Sequence, residues 1–352
     1  MLSLYRNKKR TINIVLITKS YDKSAWCNFS VHCLKIRTQR NYQTWPSWDL
    51  VYEWEDVLAK ELKGSFVYES KYLDNKYVKR IPDIYRILVT KGSTTIAFDM
   101  TPSLQDNLRN TKDVIPCIID FYLKKEQISL FEQAYSRSSM VLISSKEAFD
   151  YLRTNGCRLN IQHFPLSISD KYRITSDSYI EKEYDLVLMG RQNPVLESFL
   201  EQNKKKNPHF CYVYRRLEGN NFCYFTSRGE ALGNIDTREQ YWNLLRKGRC
   251  ALYSTPGIDG GECRTNGFSQ VTPRFLEIIA CGCHVIARYQ SNSDTEFYEL
   301  DKFCPSIEDY SSFEHILDRA LNADVDMSMY ANYLSKHYTS VRAQELLMLL
   351  KK

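Results

Sequence analysis

Short apolar runs alternate along this chain with stretches whose apolar positions recur every three or four residues, the pattern of α/β units. In the first half the runs predict strands at Ile12–Ile17, Phe66–Glu69, Thr94–Asp99, Ile115–Asp120 and Met140–Ser144. The helical period predicts helices at Glu53–Leu62, Lys124–Tyr135 and Lys146–Thr154, the last closed by Gly156. Tyr21–Leu50 gives no assignable pattern. A polar stretch, Ser167–Lys182, follows the strand-like Leu159–Pro165 and reads as an interdomain linker. The alternation then restarts. Strands are expected at Tyr184–Met189, His209–Tyr214, Cys250–Ser254 and His284–Ala287, with helices at Val195–Lys205, Arg238–Arg246, Thr272–Cys281 and Ser311–Leu321. The last residues are helical and end on Leu346, Leu347, Leu349 and Leu350.

Two successive α/β units predict two Rossmann-like domains facing a cleft. The expected division is an acceptor-side domain over 1–175, a second domain over 176–330, and C-terminal helices over 331–352 that can pack back on the first domain. A chain of 352 residues is long for one core and comfortable for two. Ligands in such sheets lie outside the carboxyl ends of the strands, in the cleft between domains. The formal charge of +6 is mild. It fits an anionic ligand or membrane surface, and is too small, without a reading motif, for a nucleic-acid binder. The basic groups Lys8, Lys9, Arg10 and Lys71, Lys76, Lys79, Arg80 read first as solvated faces, and second as contacts to lipid headgroups or an anionic acceptor. Eleven scattered cysteines form no disulfide framework, and no apolar run approaches the ~18 residues of a membrane span. The first residues, MLSLYRNKKR, have no signal-peptide core. A cytoplasmic protein is the expectation, with a peripheral contact at an inner membrane allowed.

Several chemistries lose support by absence. The sequence holds no G-x-G-x-x-G after a strand, no G-x-x-x-x-G-K-[ST], no G-x-S-x-G and no H-E-x-x-H. Cys281-Gly-Cys283-His284 has no second ligand pair at finger-like spacing, so thiols packed at a helix–strand joint are the expectation. Asp324-Val325-Asp326 precedes a helix and reads as a capping carboxylate. The informative segment is Cys250–Tyr289, where a strand ends in a loop with Gly257, Gly260, Gly261 and Gly267 that lets backbone approach a ligand closely. Thr272 is then the expected N-cap and Pro273 the first helical residue. Such a helix start favours phosphate, and Arg274 in its first turn can fork onto phosphate oxygens. Glu277, three residues on, shares that face and suits ribose hydroxyls. The bland reading is an i,i+3 ion pair on a surface helix.

VTPRFLEIIACGCHVIARY resembles the nucleotide-binding segment of GT-B glycosyltransferases of the glycosyltransferase 4-like, group 1 type, known from bacterial surface-polysaccharide assembly. STPGIDGGECRTNGFS resembles the sugar-side loop of that group, and YDLVLMGR its first C-terminal strand and glycine turn. The resemblance implies transfer of a sugar from a nucleoside-diphosphate or CMP donor to a glycan or lipid-linked glycan, with no metal and no cofactor beyond the nucleotide sugar. It implies donor contacts from Gly190, Arg191, Arg215, Gly257, Asp259, Asn266, Thr272, Arg274 and Glu277. The family pairs two glutamates eight positions apart, and Ser269 stands where the first is expected; Asp259, Glu262 or Asn266 are candidates for its sugar-side role. An inverting reaction also needs a base on the acceptor side. Asp120 and Asp99, each ending an expected strand, are the candidates, with helix capping as their alternative. Two other readings fit the same fold: a sugar-nucleotide epimerase and a non-catalytic assembly partner.

Overall fold

The runs Thr95–Asp99 and Val114–Ile118 are buried at nearly every position, without the in–out alternation of a half-exposed sheet. Such strands need cover on both faces, which points to parallel pairing with crossover helices. A computed structural model shows this arrangement twice. It describes residues 34–44, 46–69, 92–105, 111–219, 221–260 and 263–351. The expected strand Ile12–Ile17, the basic groups Lys8, Lys9, Arg10 and Lys71, Lys76, Lys79, Arg80, and the candidate Glu262 lie outside these residues.

The first half comprises Lys35–Thr38 (β1), Pro46–Glu61 (α1), Ser65–Tyr68 (β2), Thr95–Asp99 (β3), Val114–Ile118 (β4), Ile128–Tyr135 (α2), Val141–Ile143 (β5), Lys146–Thr154 (α3) and Ile161–His163 (β6). Its strands form one parallel sheet in the order β2-β1-β3-β4-β5-β6. The second half comprises Tyr184–Val187 (β7), Pro194–Lys206 (α4), Tyr212–Glu218 (β8), Asn221–Thr226 (β9), Ala231–Asn234 (β10), Arg238–Arg246 (α5), Gly248–Ser254 (β11), Arg274–Ala280 (α6) and His284–Arg288 (β12). Its sheet runs β10-β9-β8-β7-β11-β12. Here β8, β7, β11 and β12 are parallel, while β9 and β10 add an antiparallel edge. Ser293–Phe297 (α7), Leu300–Phe303 (α8), Tyr310–Asn322 (α9), Met327–Leu334 (α10) and Thr339–Leu350 (α11) follow.

Local chemistry sets the helix starts. Asn193 caps α4 by accepting from the amides of Val195 and Leu196, with Pro194 first in the helix. Thr237 and Gln240 form a capping box at α5. Asp326 accepts from the Met329 amide at 2.9 Å and so caps α10, as its place before a helix suggested. The polar stretch Ser167–Lys182 is only partly a linker. Ser167 and Ser169 are buried, Trp54 donates to the Ser167 carbonyl at 2.9 Å, and Ile168 bridges to Tyr338. Through this contact the chain end returns to the first sheet, and α11 packs on α1. No helix among the described residues is long and apolar enough to cross a membrane.

The carboxyl ends of the two sheets meet across a seam of buried polar groups. Gln270, 1% exposed, accepts from the Phe121 amide and donates to Asp120, both just past β4. The Ser269 amide donates to Glu147 of α3 at 2.8 Å. Asp294 is fully buried and accepts from the amides of Lys146 and Val271, one from each half, at 2.7 and 2.6 Å. Burial lifts the Asp294 carboxyl from 3.8 to about 7, against the pull of those two amides, and nearby Glu147 raises it further. Burial also raises Glu147.

Asp294 holds a proton in the folded state that the unfolded chain releases, and the raised Glu147 carboxyl acts in the same direction. The stability Asp294 contributes is present in full below the unfolded value of 3.8 and is lost as pH rises through about 7. Urea unfolding is expected to show stability falling from about pH 5 to about pH 8, with Asp294 contributing a slope of no more than about 1.4 kcal/mol per pH unit. D294N cannot titrate, so it flattens that slope, and it lowers stability throughout because an amide oxygen replaces only one of two acceptors. A slope that persists unchanged in D294N contradicts the assignment.

Candidate functional site

The turn after β7 runs Met189-Gly190-Arg191. Gly190 takes φ +70, and a Cβ built there would lie on the Arg274 guanidinium, 3.0 Å from its Cζ. Glycine at this position therefore lets an arginine from α6 lie against the turn. Arg274 Nη1 donates to the Arg191 carbonyl at 2.8 Å, and no carboxylate pairs with it among the described residues. Arg215, on β8, faces the same place. Burial lowers its proton affinity, and the charges of Arg274 and Arg191 lower it further. Its guanidinium lies over the Phe222 ring at 4.1 Å. Gly190, Arg191, Arg215 and Arg274 are thus brought together, with Glu197 opposing the repulsion at Arg215 in part.

The remaining candidates on this half take other places. Helix α6 begins at Arg274, later than expected: Pro273 occupies the N-cap position and makes no side-chain cap. Thr272 caps through its carbonyl, which accepts from the Phe275 amide at 3.1 Å, and its own amide donates to Tyr253. Glu277 is not an open carboxylate on the Arg274 face. It is 4% exposed, its Oε1 pairs with Arg238, and its Oε2 accepts from Tyr241 at 2.6 Å. Nor does Gly257 open the loop to a ligand; a Cβ there would lie on the Phe268 carbonyl, 2.8 Å from its carbon, so glycine serves backbone packing. Asp259 forms a two-pronged ion pair with Arg288, both contacts at 2.7 Å, and accepts from Asn193. The Arg288 pairing holds its carboxyl below the usual range. Asn266, at φ +53, donates to the Tyr122 carbonyl across the seam. Gly257, Asp259 and Asn266 shape the loop, and Asp259 is tied through Asn193 to the segment just after Arg191.

On the facing half, Asp120 lies two residues past β4, with Gln270 on its Oδ1 at 3.1 Å. Asp99 ends β3 and pairs with Arg37 at 3.5 Å; Arg37 also pairs with Glu69 at 3.3 Å. Among the described residues neither aspartate accepts from the amides that open α2; Lys124 and Gln127 cap that turn through their mutual bonds. Arg37, Glu69, Glu53, Arg238 and Tyr241 escaped the sequence reading. Arg37 falls within Tyr21–Leu50, which gives no assignable pattern, Glu69 ends an expected strand, and Arg238 looks like any polar residue in a helical first turn. Cys281 and Cys283 are buried, and the Cys283 thiol donates to the Gly248 carbonyl at 3.1 Å, as expected of packed thiols. Among the described residues no three His, Cys, Asp or Glu gather around a common point.

Residues 191–348, just under half of the chain, match a family model described as glycosyl transferase-like. Among curated proteins none matches the sequence. Many solved structures share the fold, among them the following three. The N-terminal domain of the Candida albicans trehalose-6-phosphate phosphatase superposes with a TM-score of 0.57 at 10% identity, over 93% of this chain and 98% of that one. A putative UDP-N-acetylglucosamine 2-epimerase from Listeria monocytogenes gives 0.52 at 10% identity, over 92% and 96%. AviGT4, a glycosyltransferase involved in avilamycin A biosynthesis, gives 0.51 at 10% identity, over 90% and 96%. At such identities these likenesses establish the two-sheet architecture.

The Gly190 geometry is testable through stability. G190A is expected to lose about 1–2 kcal/mol for an alanine at positive φ, plus about 1 kcal/mol as Arg274 gives up the Arg191 carbonyl. Gly156 has φ +76 and nothing within 4 Å of a built Cβ, so G156A should show the first loss alone. Equal losses in urea unfolding would show that Arg274 does not rest on the turn.

Proposed function

We propose that this chain, with a glycosyl transferase-like domain over residues 191–348 on a GT-B fold, is a glycosyltransferase whose donor is a nucleoside-diphosphate sugar bound at the Gly190 turn. The observation that carries this is the convergence of Arg191, Arg215 and Arg274 with no acid to neutralise Arg274. Three like charges converging on one turn call for a polyanion. A diphosphate has the charge and the spread of oxygens to bridge three guanidinium forks, where a single phosphate reaches fewer.

The same groups serve the chemistry. When the sugar–phosphate bond breaks, negative charge grows on the leaving diphosphate. Fixed guanidiniums already aimed at those oxygens stabilise that charge without reorganising. This supply of cationic charge is our reason for reading the reaction as metal-independent. The acceptor, a glycan or lipid-linked glycan in this reading, enters from the β3–β4 side. Asp120 is the better candidate for an acceptor-side base, since it faces the loop before α6; Asp99 is engaged by Arg37. Asp259, with both oxygens held by Arg288, is read as a loop anchor.

Calorimetry with UDP, GDP and CMP tests the assignment. R274A and R215A are each expected to weaken UDP or GDP binding by about tenfold or more, the worth of one charge-assisted hydrogen bond. CMP, with one phosphate, should lose less. Diphosphate affinities that stay the same in both variants would remove the site.

A further inference from the structure

Arg238 sits where helix electrostatics disfavour it. It is the first residue of α5, after the Thr237 cap, and a cation at a helix N-terminus opposes the macrodipole. Its side chain is also largely buried, 16% exposed. Two carboxylates offset both costs, and they come from opposite halves of the protein. Nη2 pairs with Oε1 of Glu277 on α6, while Nε reaches Oε1 of Glu53 on α1, 185 positions away in sequence, at 3.4 Å. The two acids hold the Arg238 charge well above its usual range, against the opposing effect of burial.

The surroundings leave the guanidinium little freedom. Tyr172 stacks on Trp242 with centroids 3.6 Å apart, and the rings of Tyr172, Tyr241 and Trp242 lie 6.0, 5.1 and 5.4 Å from Arg238 Cζ. Glu53 Oε1 also accepts from Tyr172 at 2.7 Å and pairs with Lys171 at 2.9 Å. Its Oε2 is buried with no partner among the described residues. Glu277 lies one turn from Arg274, so whatever orients Glu277 also bears on the face of α6 that carries the proposed diphosphate contact.

We propose that Arg238 is a positioning residue that couples the two halves: it orients Glu277 for the donor's ribose hydroxyls and makes nucleotide affinity depend on Glu53 of α1. The inference rests on the donor site proposed above, with Glu277 as its ribose contact, the role that the sequence resemblance implies. A ribose diol reaching Glu277 takes over acceptor capacity that Arg238 and Tyr241 now occupy. How firmly Arg238 holds Glu277 depends on how much of its charge Glu53 shares. With Glu53 neutral, Arg238 pairs wholly with Glu277 and the carboxylate becomes a poorer acceptor. Without Arg238, Glu277 loses its orientation and Glu53 has no route to the site.

The test is a cycle of UDP affinities by calorimetry on the full chain. E53Q, isosteric and outside the donor half, is expected to weaken UDP binding about fivefold, the lower end of coupling between separate sites. R238M should weaken it more, and R238K, which keeps the charge without the fork, less than R238M. The double variant E53Q/R238M should bind as R238M does. A purely structural Arg238 would lower the melting temperature in all of these while E53Q bound UDP normally, and that result overturns the proposal; so do E53Q and R238M losses that simply multiply. R274A and R215A keep the two readings apart. If R274A and R215A both bind UDP normally, the donor site itself is wrong; if they bind it weakly while E53Q is normal, only the coupling is.

Discussion

Mutual repulsion among Arg191, Arg215 and Arg274 is the constraint around which the second half is arranged. Two unit charges 4 Å apart repel by about 4 kcal/mol at the effective dielectric of a protein surface. Such a cluster persists only if each member is held by something other than its neighbours. Gly190 leaves room for the Arg274 guanidinium, the Arg191 carbonyl accepts from it, and the Phe222 ring supports Arg215. Every one of these supports is neutral. A carboxylate on Arg274 would relieve the repulsion and also occupy the place of an anionic ligand; Glu277, one turn along the same helix, is engaged by Arg238 instead, and Glu197 acts on Arg215 through its charge. Pairing Glu277 with Arg238 is what leaves Arg274 without an acid among the described residues.

The seam between the sheets follows a complementary logic. Strand ends expose backbone amides that need acceptors, and the two halves supply them to each other. Asp294 serves Lys146 and Val271, Glu147 serves Ser269, and Gln270 serves Phe121. A buried acceptor with two amide partners is costly to leave unmet, so these side chains fix how the halves meet. Ser269 takes part through its backbone and its hydroxyl bonds Thr255 at 2.5 Å. The position where the related family carries a glutamate is therefore a structural joint here, and the carboxylate beside it, Glu147, comes from the opposite half.

Periodicity made most of the parallel framework legible. Helices Lys146–Thr154 and Arg238–Arg246 have the expected bounds, because each starts at a capping residue and carries a clear amphipathic face. Pairing was not legible. Glu277 and Arg274 sit three apart on a helix, and the sequence pattern could not say that one meets Arg238 and the other the Arg191 carbonyl. Asp259 and Gly257 carry residue types that suit a ligand loop as well as a packed one; only the positions of Arg288 and Phe268 decide between them. Side chains that meet across 29 to 185 positions leave no local pattern to read.

The hairpin β8–β9 shows how such a miss can fall on the site itself. The expected strand His209–Tyr214 ends before Arg215, yet β8 runs to Glu218. It pairs with β7 only at Tyr212 and Val213, then continues beside β9 alone. Five further residues at about 3.3 Å each carry it some ~16 Å beyond the parallel sheet. Charged residues on both faces of this overhang, Arg215 and Arg216, erase the alternation by which a strand is recognised. Cross-strand rings replace it: Arg215 stacks on Phe222 and Arg216 on Phe225, at 4.1 and 4.5 Å. The register sets Leu217 directly opposite Phe222, and both side chains remain about half exposed at the tip. A central strand could not place an arginine there, because its neighbours on both sides would bury the stem. The antiparallel edge leaves one side open, and that is what lets Arg215 reach the turn after β7.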